Sequence, residues 1–425
     1  MVAEELIQAY ARLIIQQGVN LQAGQALVIR AEMAHRSLVH RLAAEAYRAG
    51  ARYVETEWID VRLERIRLLE SAAEHLAYVP DYRVAAAEER LATDWAYVAI
   101  TGREDPQAYE DVEPERLAQV QTALRRKLEP WYTEMMGHAL AWCVCACPTP
   151  AWAQQVYPDR PPHRALEALW ADLLRFARIQ GAEAPGRSWQ AHIRRLQAAQ
   201  GRLRGMPIRA LHFLDPTPGP DGRPRTDLIV GLTERPRWLG GSETTRKGLP
   251  FSPNIPTEEI FTTPHRERAE GWVRTSRPFF PFQQEVRDAY FRFQAGRVVA
   301  FQAAQGQEVL ERFFAIEGTD RLGEVALVDG RSPIFQTGRT YYETLIDENA
   351  ACHLALGRAY PGGVEGGEAL APEALAQLGV NTSPMHQDVM FGTPTLRVTA
   401  TLADGREVVL MEEGRFTEAL LPAAG

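Results

Sequence analysis

Acidic, imidazole and phenol side chains occur together on an otherwise apolar stretch of the sequence, residues 322–360. Glu324 directly precedes a run of small and apolar residues that is typical of a buried strand, and His353 lies within a second apolar run shortly before Tyr360. Burying such groups together is unfavourable unless a partner compensates their charge, and a divalent cation compensates carboxylates and imidazoles at once. This stretch therefore predicts a metal site.

Two shorter stretches supply further candidate ligands. Glu258 and Glu259 are adjacent in a segment that reads as extended backbone, where consecutive side chains point to opposite sides. One acid of the pair is therefore expected to face a site while the other faces its edge. His386 and Asp388 are two residues apart, so on a strand both project from the same face and can bind one centre.

The formal charges of these side chains suit a centre of two metal ions. Glu258, Glu324 and Asp388 contribute three negative charges, whereas His353 and His386 bind metals as neutral imidazoles. Two divalent cations bring four positive charges, and the one left over suits a single bridging hydroxide. The donor set therefore predicts a pair of divalent ions that act together.

These residues belong to four ordered motifs, which are residues 254–264, 322–329, 348–357 and 386–392. Together the motifs resemble the thermophilic-aminopeptidase family of metallopeptidases, represented by aminopeptidase T and aminopeptidase S. The resemblance covers the whole chain, since residues 148–153 also resemble the amino-terminal half of the family. Two departures, Gln336 where a lysine is expected and an expanded loop at residues 361–367, concern substrate preference and not the metal site.

The resemblance implies six residues at the metals: Glu258, Glu324, His353, Tyr360, His386 and Asp388. Tyr360 would either ligate a metal directly or donate a hydrogen bond to an oxyanion. Glu258 is assigned to the metal because its spacing from Glu324 agrees with the family. That assignment leaves Glu259 as a candidate general base, or as an acid that only supports the site from outside.

In function, the resemblance implies a metallo-aminopeptidase that releases amino-terminal residues from peptides by a two-metal mechanism with water as the nucleophile. It implies two divalent ions per chain (zinc, cobalt or magnesium), peptide substrates with a free amino terminus, and a homodimer. Two alternatives remain open. One is another two-metal hydrolase, such as a phosphoesterase, and the other is a non-enzymatic protein in which the metals are structural.

Composition restricts the class of protein further. The chain has 425 residues, of which 45% are hydrophobic and 24% charged, as in ordinary globular proteins. A net charge of -8 without a basic cluster argues against nucleic-acid binding. The sequence has no apolar run of the roughly 20 residues that a membrane span needs, and it opens with acids instead of the basic start of a signal peptide. The expected location is the cytoplasm.

The length favours two domains, which we place at residues 1–200 and 201–425. In the first, strands near residues 26–30, 53–58, 95–100 and 141–146 alternate with helices, one of them a long helix over 113–136. Such alternation predicts an α/β domain with a parallel sheet. No Gly-x-Gly-x-x-Gly follows any of these strands, so no dinucleotide cofactor is predicted.

The sequence of the second predicted domain indicates short strands and turns with few helices. One of these helices is predicted near residues 341–349. We predict an α+β catalytic domain rich in antiparallel and mixed strands, which carries all the candidate ligands. The cysteines do not add a metal site. Cys143, Cys145 and Cys147 alternate along one predicted strand, whereas zinc ligands normally come from turns, so they are interpreted as small buried residues.

Overall fold

The computed structural model describes residues 3–181 and 185–421, and the chain divides into two compact units. The first comprises residues 1–190 and 242–256, and the second comprises residues 191–241 and 257–425. That the chain forms two domains with a boundary near residue 200 stays a prediction. None of the helices in the described part of the chain combines the length and the apolarity that a membrane span requires.

Helices and strands are numbered along the chain. The helices are α1 (Glu4–Leu13), α2 (Arg36–Arg48), α3 (Val61–Glu70), α4 (Ala73–Leu76), α5 (Tyr82–Ala92), α6 (Pro114–Lys127), α7 (Glu129–Met136), α8 (Pro150–Val156), α9 (Pro162–Phe176), α10 (Pro185–Arg204), α11 (Gln307–Phe314), α12 (Thr344–Asp347) and α13 (Pro372–Gln377). The strands are β1 (Ala26–Glu32), β2 (Tyr53–Ile59), β3 (Ala96–Thr101), β4 (Trp142–Ala146), β5 (Ile208–Pro218), β6 (Pro224–Leu232), β7 (Glu243–Thr244), β8 (Pro250–Phe251), β9 (Asn254–Ile255), β10 (Glu259–Thr262), β11 (Pro264–Arg274), β12 (Tyr290–Gln294), β13 (Arg297–Gln302), β14 (Leu322–Val328), β15 (His353–Gly357), β16 (His386–Met390), β17 (Arg397–Leu402), β18 (Glu407–Glu412) and β19 (Arg415–Phe416).

The first unit contains the predicted parallel sheet, with strand order β2-β1-β3-β4-β9. Of its central strands, β1 is apolar and largely buried, and β3 alternates buried with half-buried residues, as expected for a sheet covered by helices. Cys143 and Cys145 are fully buried on β4. A Cβ at Gly18 would lie only 2.9 Å from Sγ of Cys143, so a glycine is needed where this backbone crosses β4. The α/β prediction is confirmed.

One predicted helix of this unit is wrong in its extent. The single helix expected over residues 113–136 is two helices, α6 and α7, which meet at Leu128. Pro130 lies in the first turn of α7. A proline lacks the N–H that a continuous helix would use, and its ring clashes with the carbonyl four residues earlier, so the helix ends and restarts at this point.

The second unit is built from two antiparallel sheets, as predicted for an α+β domain. The larger has the strand order β13-β12-β11-β6-β5-β17-β18-β19, and the smaller has the order β10-β14-β15-β16. Apolar residues of both sheets belong to one core cluster, among them Phe213, Val230, Leu327 and Leu354, each fully buried. Every residue of β14 is buried, including Glu324, so the smaller sheet carries an acid into a well-packed environment.

Candidate metal centre

The strand register of the smaller sheet aligns the predicted ligands. On β14 and β15, Glu324 lies opposite Ala355, and Ala326 lies opposite His353. On β15 and β16, Ala355 lies opposite Asp388. Because side chains alternate along a strand, Glu324, His353 and Asp388 project from the same face. Ala326 and Ala355, which stand opposite or between these residues on the same face, have only methyl side chains.

The same face receives two more predicted residues. Glu259 at the start of β10 lies opposite Val328 of β14. Val328 is four residues after Glu324 on the same strand, so both side chains, and that of Glu259, project from the same face. His386 precedes Asp388 by two residues on β16 and therefore faces the same side. The sheet thus presents three acids and two imidazoles on one face, and the donors of a single centre must share a face in this way.

Three of these side chains form a compact cluster. Nε2 of His353 lies 3.1 Å from Oε2 of Glu259 and 3.4 Å from Oε1 of Glu324. One ligand atom from each residue lies within 4.8 Å of the other two, which is a spacing that one cation can bridge. All three residues are buried, with at most 7% of their surface exposed. Desolvated carboxylates at this distance require positive charge between them.

His386 and Asp388 form a second, neighbouring group of donors. Nε2 of His386 lies 3.3 Å from Oδ1 of Asp388. The ring of Tyr360 packs on the imidazole of His386, with 5.0 Å between ring centroids. It also packs on the ring of Phe261, a residue of β10, with 6.0 Å between centroids. The ring of Tyr360 is therefore held beside His386, one of the candidate donors.

The two histidines are oriented in the same way. Nδ1 of His353 lies 3.1 Å from the carbonyl oxygen of Ala351, and Nδ1 of His386 lies 2.7 Å from that of Arg358. A carbonyl only accepts, so each Nδ1 carries a hydrogen and each Nε2 faces the carboxylates. Backbone carbonyls orient metal-binding histidines in this manner. The donor chemistry therefore fits a divalent metal.

The electrostatics of the cluster point in the same direction. Burial alone would lower the pKa of His353, yet hydrogen bonds to Glu259 and Glu324 raise it well above its usual value. Burial likewise lowers the pKa of His386, but the charge of Asp388 outweighs this and raises it to about 9. Both raised pKa values mean that the surrounding carboxylates favour a positive charge at the Nε2 atoms. A divalent cation meets the same demand as these protons.

Glu348 is an acid of this site that sequence reasoning missed. Burial and the charges of Glu259 and Asp388 raise its pKa well above the usual value, with His353 acting in the opposite direction. Glu348 begins a short 3₁₀ turn, residues 348–350, and not a strand, so no alternation pattern pointed to it. The available signal was its place in the same motif as His353.

Glu258 is not one of the three residues of the compact cluster. Its Oε2 is 3.9 Å from Nε2 of His192, a buried histidine of α10 that no sequence motif indicated. Glu258 and Glu259 therefore do point to different groups, as extended backbone requires. The assignment of Glu258 to the metal and of Glu259 to proton transfer stays a prediction. Of the two acids, Glu259 is the one whose Oε2 lies 3.1 Å from Nε2 of His353.

Comparison with known proteins gives a consistent family. Residues 3–416 match the model of the thermophilic metalloprotease (M29) family. The chain is 37% identical to Aminopeptidase T of Thermus aquaticus and 35% identical to Aminopeptidase 2 of Geobacillus stearothermophilus, in each case over 97% of this chain and 98% of the relative. The structure of wild-type AmpT from Thermus thermophilus has a TM-score of 0.89 and 35% identity, and the match covers 97% of this chain and 99% of that one.

These matches extend over both units and include every motif that the sequence analysis singled out. The prediction of an enzyme that hydrolyses peptide bonds with the help of metal is confirmed at the level of the family. The chain belongs to the thermophilic metalloprotease (M29) family.

Proposed function

We propose that this protein is a metal-dependent aminopeptidase that releases amino-terminal residues from peptides. The observation that carries the proposal is the row of donors on one face of the smaller sheet, in which the Nε2 atoms of His353 and His386 both face carboxylates. The relatives named as aminopeptidases support the reaction class, since they match nearly the whole chain.

The centre is proposed to hold two divalent ions, which would be zinc, cobalt or magnesium. The geometry supports a donor set divided into two neighbouring groups, with Glu259, Glu324 and His353 in one and His386 and Asp388 in the other. Glu259 replaces Glu258 in the charge count, so three negative charges are kept. When bound, such ions polarise the scissile carbonyl and make the attacking water more acidic.

An acid that is not needed as a donor has to carry the proton from the attacking water to the departing amine. Sequence reasoning placed this role on Glu259. With Glu259 among the donors, the best-placed acid is Glu348, because its carboxyl group interacts with four residues of the donor row, whereas the carboxylate of Glu258 faces His192. We therefore assign proton transfer to Glu348.

Tyr360 is assigned to the substrate carbonyl. Burial and the charge of Glu324 raise the pKa of its phenol well above the usual value, so the hydroxyl keeps its hydrogen at neutral pH. A protonated phenol beside the donors can donate to the oxygen that becomes negative when water attacks the peptide carbonyl. Such a donor stabilises the transition state more than the ground state.

The test is turnover of leucine p-nitroanilide and of short peptides, compared with turnover of p-nitrophenyl phosphate, before and after metal is removed with a chelator and returned. We expect amide hydrolysis that depends on metal, with one amino-terminal residue released at a time. Phosphatase activity without amide hydrolysis would overturn the proposal in favour of a phosphoesterase. Stability restored by metal without any hydrolysis would favour purely structural metals.

A cytoplasmic homodimer is proposed as the working form. The family resemblance of the motifs supports the dimer, and the four free, buried cysteines suit a reducing compartment. Light scattering coupled to size-exclusion chromatography measures the mass in solution. A mass near twice the 47.6 kDa of the chain is expected, and a monomer that is fully active would contradict the dimer.

A further inference from the structure

The peptide group that joins Thr257 to Glu258 is held at both of its polar atoms by buried side chains. The N–H of Glu258 donates to Oδ1 of Asn349 at 2.6 Å. On the other side of the same peptide plane, the carbonyl oxygen of Thr257 accepts a hydrogen bond from Nε2 of His192 at 2.7 Å. Asn349 is fully buried and His192 is 8% exposed, so water does not compete for either bond.

The two side chains that hold this peptide are themselves anchored. Nδ2 of Asn349 donates to the carbonyl oxygen of Leu345 at 2.9 Å, which fixes the amide in the turn that begins at Glu348. His192 belongs to α10, the longest helix of the described chain. Each bond therefore connects the peptide to an element with its own internal hydrogen bonds, and the peptide plane has little freedom to rotate.

A fixed peptide plane decides where the next side chain points. The plane ends at the Cα of Glu258, and β10 begins one residue later at Glu259, where pairing with Val328 starts. Because adjacent side chains of an extended chain project to opposite sides, holding the plane sends Glu259 towards His353 and Glu258 towards His192. A rotated plane would turn the Glu259 carboxylate away from its place 3.1 Å from Nε2 of His353.

We propose that His192 and Asn349 are positioning residues that clamp this peptide and thereby aim Glu259 into the metal-binding row. The proposal rests on the proposed function, since it assigns Glu259 as a metal donor. Groups that orient a donor through a hydrogen bond typically change metal affinity or activity by about 10–100-fold when they are removed. A purely structural role would change the stability of the fold without a selective change in metal affinity.

The experiment compares His192→Leu and Asn349→Leu with two reference variants. His192→Gln keeps an N–H close to the position of Nε2 and should restore the clamp. His35→Leu is the matched control, because His35 is also a buried histidine whose Nε2 donates to a backbone carbonyl, that of Gly102 at 2.6 Å, but it lies in the first unit.

Two quantities are measured for each full-length variant: the dissociation constant for zinc, by competition with a chromophoric chelator, and the melting temperature of the metal-free protein. We expect His192→Leu and Asn349→Leu to bind zinc about 10–100-fold more weakly, and the double variant to bind no more weakly than the worse single one. His192→Gln should recover most of the affinity. His35→Leu should lower the melting temperature and leave zinc affinity unchanged.

Unchanged zinc affinity in both leucine variants, with melting temperatures lowered as in His35→Leu, would overturn the clamp. If a leucine variant does not fold, Asn349→Ser provides a milder change, because serine is too short to reach the N–H of Glu258. Weaker zinc binding in Asn349→Ser supports the clamp, and unchanged zinc affinity with a lowered melting temperature overturns it. A wild-type protein that binds no zinc would overturn the proposed function itself, which is a different failure from that of the clamp.

Discussion

Nε2 of His353 lies 3.1 Å from Oε2 of Glu259, although the two residues belong to different motifs and to strands that are not neighbours in the sheet. β14 runs between their strands, and its Glu324 is the third member of the cluster. The contact is possible because Ala326, opposite His353, has only a methyl group on this face. A small residue in the central strand lets donors from both flanking strands converge above it.

This geometry predicts different consequences for the two adjacent glutamates. Glu259→Gln removes a charged donor and should weaken zinc binding by more than about tenfold, with a corresponding loss of activity. Glu258→Gln should retain the metal, since its carboxylate faces His192. Metal content after dialysis against a weak chelator measures both. Loss of metal from Glu258→Gln alone would return the donor role to Glu258.

Tyr360→Phe tests the hydrogen bond to the substrate. The ring keeps its packing against His386 and Phe261, and only the hydroxyl is lost. Removal of one donor to a developing oxyanion costs about 100-fold or more in kcat, and KM should change little. Metal content should equal that of the wild type. If metal content falls with the activity, Tyr360 is a ligand instead, and an unchanged kcat excludes both roles.

Removal of metal should destabilise the fold as well as abolish activity. Without a cation, burial and Glu259 raise the pKa of Glu324, which reflects the cost of collecting negative charge on this face. A ligand at 100 times its dissociation constant stabilises the native state by about 2.7 kcal/mol. Melting curves with added zinc should shift upward in the wild type and much less in Glu324→Gln. Equal shifts in the two proteins would place the stabilising ion elsewhere.

A glycine next to the centre should be intolerant of a side chain. Gly357, the last residue of β15, has φ of +100°, and a Cβ there would lie 2.2 Å from the carbonyl oxygen of Met385. Gly405 has φ of +83° but nothing within 4 Å of such a Cβ. Gly405→Ala should cost about 1–2 kcal/mol in free energy of unfolding. Gly357→Ala should cost clearly more, and equal costs from urea unfolding would contradict the close approach.

The cysteines should be unreactive in the native protein. Burial raises the pKa of Cys147 to about 12 and that of Cys352 to about 11, and it raises those of Cys143 and Cys145 as well. Since the thiolate is the reactive form, a thiol reagent at pH 8 should label none of the four until denaturant is added. Rapid labelling of the native protein would show that at least one of these four thiols is accessible.

The fold was predictable where hydrophobic patterning and local contacts determine it. A strand expected at residues 324–328 is β14, and the alternation rule correctly placed His386 and Asp388 on one face. The helix expected near 341–349 is shorter: Asp347 accepts hydrogen bonds from the backbone N–H groups of Tyr341 and Glu343, so a side chain replaces part of the helical bonding.

The rest of the site depends on contacts between distant segments, which no local pattern contains. Glu348 comes near the donors only because a 3₁₀ turn follows α12 and leads into β15. His192 precedes Thr257 by 65 residues and sits on a helix with no motif of its own. Spacing along the chain likewise did not determine which of Glu258 and Glu259 faces His353, because that choice follows from the peptide held by His192 and Asn349.

The most direct test of the metal centre is anomalous diffraction at the zinc absorption edge from a crystal of the zinc-loaded protein. Two peaks are predicted on the face of the smaller sheet that carries the donors, one bounded by Glu259, Glu324 and His353 and the other next to His386 and Asp388. Peaks at other positions, or no peak on this face in zinc-saturated crystals, would contradict the account.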